Sequence, residues 1–102
     1  MGPLTLEALT ASYNSAATLP ETIASAWQLN RIPMLIVDDG STDDSANRAE
    51  RCEGVRVIRQ RNAGPSVARN RAILESQASF VLFLDSDDLL LPGYRDAFEA
   101  AL

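Results

Sequence analysis

Short apolar runs and amphipathic stretches succeed one another along this chain, and the spacing of polar positions switches repeatedly between strand-like and helix-like. Leu4 to Ser12 reads as a first strand, although polar Thr5 and Glu7 lie inside it. Thr18 to Gln28 reads as a helix. Thr18 and Glu21 have the spacing of a capping box, and Leu19, Ile23, Ala26 and Trp27 share one face. Met34 to Val37 is a short, wholly apolar strand entered from Pro33. Asp43 to Cys52 is predicted to be helical, with Ala46, Ala49 and Cys52 inward and acidic residues in the first turn, where the helix dipole favours them. Val55 to Ile58 is a third strand, and Pro65 to Ser76 a third helix opened by Pro65 and Ser66. Phe80 to Leu84 is a fourth apolar strand. Pro92 to Leu102 closes the series as a helix with Tyr94, Ala97, Phe98, Ala101 and Leu102 on one side.

Strands alternating with helices of about ten residues imply βαβ units and a parallel sheet. Right-handed crossovers place helices on both faces of such a sheet, so central strands become continuous apolar runs. The expected fold is therefore α/β, a Rossmann-like three-layer sandwich. No internal repeat or low-complexity segment interrupts it, and 102 residues make one domain, 1–102. In open sheets of this kind ligands bind beyond the carboxyl ends of the strands, so chemistry is to be sought there.

Composition narrows the chemistry. The chain is 46% hydrophobic and 23% charged, as expected of a globular protein. Its net charge of −5 disfavours nucleic acid as a partner. All 9 basic residues are Arg, and the absence of His and Lys excludes imidazole acid/base work, Schiff bases and His ligation of metals within these residues. The single cysteine, Cys52, can form no internal disulfide and reads as a small buried apolar residue. No transmembrane segment is expected, because the most apolar stretch, Phe80 to Leu91, is short and broken by Asp85, Asp87 and Asp88. The first residues lack the pattern of a signal peptide. A cytoplasmic location is expected, with a peripheral position on the inner membrane face as the variant.

The residues after each strand are rich in candidates: Thr10-Ala11-Ser12-Tyr13-Asn14, then Asp38-Asp39-Gly40-Ser41-Thr42-Asp43, then Arg61-Asn62-Ala63-Gly64 leading to Ala68-Arg69-Asn70, then Asp85-Ser86-Asp87-Asp88. Asp38, Asp39, Asp85, Asp87 and Asp88 would converge on one sheet edge, where like charges repel and only Arg69 or Arg71 offers a nearby cation. A divalent ion would relieve the repulsion, and oxygen donors without His or thiolate suit Mg²⁺ or Mn²⁺. Each piece also has a plainer reading. Asp38 to Ser41 suits a turn followed by a helix cap, and Asp85 to Asp88 suits a solvated loop. Tyr13 alone suits a half-buried aromatic, Asn62-Ala63-Gly64 a loop, and Arg69 a surface charge.

Taken in order and spacing, Ser12-Tyr13-Asn14, Ile36-Val37-Asp38-Asp39-Gly40-Ser41-Thr42-Asp43, Asn62-Ala63-Gly64, Ala68-Arg69-Asn70 and Phe83-Leu84-Asp85-Ser86-Asp87-Asp88 resemble the N-terminal half of family 2 glycosyltransferases, which have the GT-A fold. The resemblance covers about Leu9 to Pro92. It implies a four-stranded parallel sheet in the order 3-2-1-4. It also implies a domain that binds a nucleotide-diphospho-sugar, foremost a UDP-sugar, through Mn²⁺ or Mg²⁺, for inverting transfer to an acceptor that the motifs do not identify. Ser12 and Tyr13 would line the base pocket, with Asp39, backed by Asp38, on the pyrimidine edge. Arg69 would flank the base or phosphates. Asp85, Ser86 and Asp87 match an Asp-X-Asp motif, with Asp85 near the ribose, Asp87 on the metal and Asp88 as a further metal or water contact. Two departures stand out. Glu7 occupies a strand position that should be dry, so either the register shifts or that face is less covered. The chain also ends one helix after the acidic motif, so the acceptor half and its general base are expected beyond residue 102, and no catalytic residue is assigned within it. An uncovered sheet edge would then favour a homo-oligomer. The alternative is a truncated, non-catalytic nucleotide-binding or interaction module. Receiver domains and haloacid-dehalogenase-type phosphatases also gather acids at strand ends, but both need a Lys.

Overall fold

A computed structural model describes residues 4–102; residues 1–3, part of the expected domain 1–102, lie outside the described residues. Four strands and four helices alternate: β1 (Leu6–Ser12), α1 (Leu19–Asn30), β2 (Met34–Asp38), α2 (Ser45–Glu50), β3 (Val55–Arg59), α3 (Pro65–Glu75), β4 (Phe80–Phe83) and α4 (Tyr94–Ala101). The sheet runs in the order β3-β2-β1-β4, as expected. All three pairings are parallel, with Leu9 opposite Leu35 and Phe83, and Asp38 opposite both Ser12 and Arg59.

Because the two central strands are covered on both faces, their alternate residues feed two separate cores. One holds Leu6, Ala8, Met34 and Ile36 with Leu19, Ile23, Ala26 and Ile32 around α1, and Ala49 from α2. The other packs Leu9, Leu35 and Val37 against Ala68 and Ala72 of α3. Small residues at 68 and 72 let α3 lie close on the sheet. β3 and β4 are the edge strands among the described residues, and Val81 (40% exposed) and Phe83 (54% exposed) remain open on β4.

Several local expectations are corrected. Thr18 stands at the start of α1 with a helical backbone (φ −115°, ψ −30°) and its hydroxyl accepts no capping bond, so the Thr18–Glu21 capping box does not form; the hydroxyl donates to the Ser86 carbonyl, 2.9 Å away. The second helix is shorter than Asp43 to Cys52, because the Asp43 carboxylate accepts from the Ser45 N–H at 3.0 Å and its hydroxyl at 2.5 Å, holding a turn before Ser45. Cys52 is only half-buried, at the margin of the first core. Glu7 provokes no change of register. It is 9% exposed on the face covered by α3, with the Ser76 hydroxyl donating to it at 2.6 Å and the Arg56 guanidinium 3.5 Å away. A charge in the middle of a sheet is tolerable when it is hydrogen-bonded and paired.

Candidate functional site

The loops after β1 and β2 are bound to each other before they can bind anything else. Asn14 adopts a left-handed backbone (φ 49°). Its side-chain carbonyl accepts from the backbone N–H groups of Thr42 (2.7 Å) and Asp43 (3.2 Å), and its own N–H donates to the Ser41 hydroxyl (2.9 Å). Ala16 donates to the Asp43 carboxylate at 3.2 Å. The Ser45 hydroxyl is the largest influence holding the Asp43 carboxyl below its ordinary range; burial opposes it, and the backbone N–H groups of Ser45 and Ala16 add to it.

Asp38 and Asp39 both lie buried at the end of β2. Asp38 turns back on its own loop, accepting from the Ser41 N–H (3.0 Å) and hydroxyl (2.6 Å). Asp39 reaches across to the loop after β3. Its carboxylate accepts from Gln60 (2.9 Å), the Asn62 amide (3.2 Å), and the backbone N–H groups of Ala63 (2.8 Å) and Gly64 (3.0 Å). Burial opposes its ionisation, but the bonds from Gln60, Ala63 and Gly64 outweigh it and hold the carboxyl below the ordinary range. Four donors fill the two oxygens, so Asp39 builds the wall of the cleft. Gly40 completes the approach: at φ +80°, a Cβ there would lie 2.9 Å from the Asn62 nitrogen.

Two adjoining clefts open at this edge and share Ala11 and Pro65. The first, about 330 Å³, is lined by Ser12, Tyr13, Asp39, Asn62 and Gly64. Tyr13 is half exposed beside it, and the Ser12 hydroxyl, in a residue only 1% exposed, has no hydrogen-bond partner. The second, about 430 Å³, is lined by Asn14, Ser15, Thr18, Arg69, Asp85, Ser86 and Asp87 among others. Arg69, from α3, stands 3.8 Å from the Asp85 carboxylate. Oxygens of Asp85, Asp87 and Asp88 all lie within 4.8 Å of one another, and all three residues are exposed. Three hard oxygen donors at that spacing, unburdened by internal bonds of the kind that fill Asp39, fit a divalent cation.

Of the nine residues singled out from the sequence, Ser12, Tyr13 and Asp39 line the first cleft and Arg69, Asp85, Ser86 and Asp87 the second; Asp88 joins the carboxylate cluster, and Asp38 lines neither cleft, being turned to Ser41 of its own loop. Gln60 and Thr22, which also shape these loops, carried no signal in the sequence, whereas Asn14 and Asn62 stood inside motifs without an assigned role and Thr18 stood in a capping box that does not form.

Comparison with known proteins gives the family and the fold. The profile of "Glycosyl transferase family 2" matches residues 8–96. The succinoglycan biosynthesis protein ExoU of Rhizobium meliloti (strain 1021) is 38% identical over 86 residues, covering 78% of this chain and 25% of that protein. The crystal structure of S. aureus TarS 1-349 superposes with a TM-score of 0.87 at 26% identity, over 95% of this chain and 32% of that one. A mannosyltransferase from Pyrobaculum calidifontis, solved in complex with GDP-Man and Mn²⁺, superposes with a TM-score of 0.76 at 20% identity, covering 91% and 30% of the two chains. The chain thus spans about a quarter of the length of the curated relative and about a third of each of these structures.

Proposed function

The chain belongs to glycosyl transferase family 2, and from that premise we propose that its strand-end clefts bind the donor of the transfer, a nucleotide-diphospho-sugar, with a divalent metal. The observation that carries the reading is the division of labour between adjoining clefts. One offers an aromatic face and an unpartnered buried hydroxyl, the other a carboxylate cluster beside an arginine. A nucleoside with a charged diphosphate has the same two-part character.

In this reading the base and ribose occupy the cleft beside Ser12 and Tyr13, with Asp39 keeping the Asn62–Gly64 wall in place and Asp38 supporting the loop behind it. Asp85 lies toward the ribose, and Asp87 and Asp88 hold Mn²⁺ or Mg²⁺; the Pyrobaculum neighbour, solved with GDP-Man and Mn²⁺, supports an ion of this class. Such an ion supplies Lewis-acid stabilisation of the charge that develops on a leaving diphosphate. Arg69 adds a positive charge on the facing wall. UDP is the nucleotide favoured by the resemblance, and the acceptor and its general base are proposed to lie outside residues 1–102.

Calorimetric titration with UDP tests this. With Mn²⁺ present UDP is expected to bind, with chelator to bind at least about tenfold more weakly, and Asp87→Asn to bring the metal-containing titration close to the chelator value. Equal affinity with metal and with chelator would end the proposal.

A further inference from the structure

We propose that Thr18 and Thr22 are positioning residues for the acidic turn, using their hydroxyls to hold the Ser86 carbonyl so that Asp85, Asp87 and Asp88 stay gathered without an ion. This rests on the metal-binding reading above and adds to it the device that builds the site in advance.

β4 leaves the sheet after Phe83, and the chain is fastened at once: the Leu84 N–H donates to the Leu9 carbonyl (3.0 Å) and the Thr10 hydroxyl to the Leu84 carbonyl (2.7 Å). The Asp88 N–H then donates to the Asp85 carbonyl at 3.0 Å, closing a turn over four residues, three of them Asp. The Ser86 carbonyl lies in the middle of that turn and receives two hydroxyl donors, Thr18 at 2.9 Å and Thr22 at 3.1 Å. The Ser86 hydroxyl pairs with that of Ser15 at 2.9 Å. A helical threonine ordinarily turns its hydroxyl to the carbonyl one turn back. Here that contact, Thr22 to Thr18, is long at 3.4 Å and the bond to Ser86 is shorter. Thr18 makes no side-chain capping bond to its helix. Two hydroxyls one turn apart at the start of α1 converging on a single carbonyl, 64 and 68 residues away in sequence, is the observation that points to a specific duty.

That duty follows from electrostatics. Three carboxylates within 4.8 Å repel one another, and a free turn would relax by splaying them. Anchoring the peptide between the first and second Asp to a rigid helix opposes the relaxation. Outer partners of this kind typically change metal affinity by about 10–100-fold when removed.

Mn²⁺ alone is the probe, with free ion counted by electron paramagnetic resonance during titration of the 102-residue protein. Thr22→Val keeps the buried shape but removes the donor; Thr22→Ser removes a methyl and keeps it. Thr22→Val is expected to weaken Mn²⁺ binding by about fivefold or more, the Thr18→Val/Thr22→Val double variant by about tenfold or more, and Thr22→Ser to bind within about twofold of the parent. Should Thr22→Val not fold, Thr18→Val against Thr18→Ser makes the same comparison at an exposed position. Hydroxyl-free variants that bind Mn²⁺ as the parent does, or a Thr22→Ser as weak as Thr22→Val, would overturn the positioning role while leaving the metal reading intact. A parent protein that binds Mn²⁺ no better than Asp87→Asn would remove both.

Discussion

Asp39 shows how one side chain can serve a site by holding its walls. Its carboxylate ties the loop after β2 to the loop after β3 through four donors, two of them backbone N–H groups that would otherwise lack partners. Asp39→Asn keeps the size but presents an amide N–H₂ to donors, and is expected to cost about 2 kcal/mol at neutral pH. Because the folded-state pKa of Asp39 lies below the ordinary value, the stabilisation from its charge is fully present above the unfolded pKa, about 3.9, and is lost as pH falls through the folded one. Urea midpoints of parent and variant should therefore differ at pH 7 and draw together as pH falls through the lowered folded-state pKa. A difference that stays constant down to pH 2 would show that Asp39 contributes shape and not charge.

At the scale of elements, the connection from α2 to β3 depends on one close approach. Gly54 has φ +78°, and a Cβ there would sit 2.3 Å from Trp27 of α1. Trp27 also carries the Arg31 guanidinium, 5.3 Å from its ring centre. Gly54→Ala combines left-handed strain with overpacking and is expected to destabilise by about 2–4 kcal/mol, readable as a lower urea midpoint with unchanged m-value. A loss under about 0.5 kcal/mol would mean that α1 shifts freely on the sheet, against the packing described. Glu7 gives the complementary lesson. As a strand residue it looks misplaced, yet Ser76 at the end of α3 and Arg56 of β3 supply its partners.

The molecule as a whole carries its chemistry on a single edge. Its acids there are either turned to internal partners, Asp38 to Ser41 and Asp39 to the 60–64 loop, or gathered at the proposed metal position, as Asp85, Asp87 and Asp88 are. An inverting transfer needs a base on the side of the sugar opposite the leaving diphosphate, and the sequence has no His or Lys to act as a substitute. Well-oriented proximity of the acceptor, which can contribute about 7–11 kcal/mol, would also have to come from elsewhere. The isolated 102-residue polypeptide is therefore expected to release at most a trace of UDP from UDP-sugars, at a rate that acceptors do not raise. Robust acceptor-dependent release would mean that a second copy or an unassigned residue provides the base.

The alternation of apolar runs and amphipathic stretches was enough to place four strands, four helices and a parallel sheet, because burial on both faces leaves little choice of residue in Met34–Val37. Chain order alone then brought the acidic and Asn-Ala-Gly motifs to one edge, since every parallel strand ends on the same side. The strand order followed from motif resemblance, not from periodicity. What local patterns could not tell was the state of each acid. Asp38-Asp39 and Asp85-Ser86-Asp87-Asp88 look alike as text. Yet the Asp39 oxygens are filled from residues 60–64, whereas the second group is held by its backbone from Thr18 and Thr22, with exposed carboxylates of which Asp85 faces Arg69. Those partners lie more than twenty residues away in either case. Only the folded chain brings them within hydrogen-bonding distance, so only the tertiary structure decides which acids hold the protein together and which are free to hold an ion.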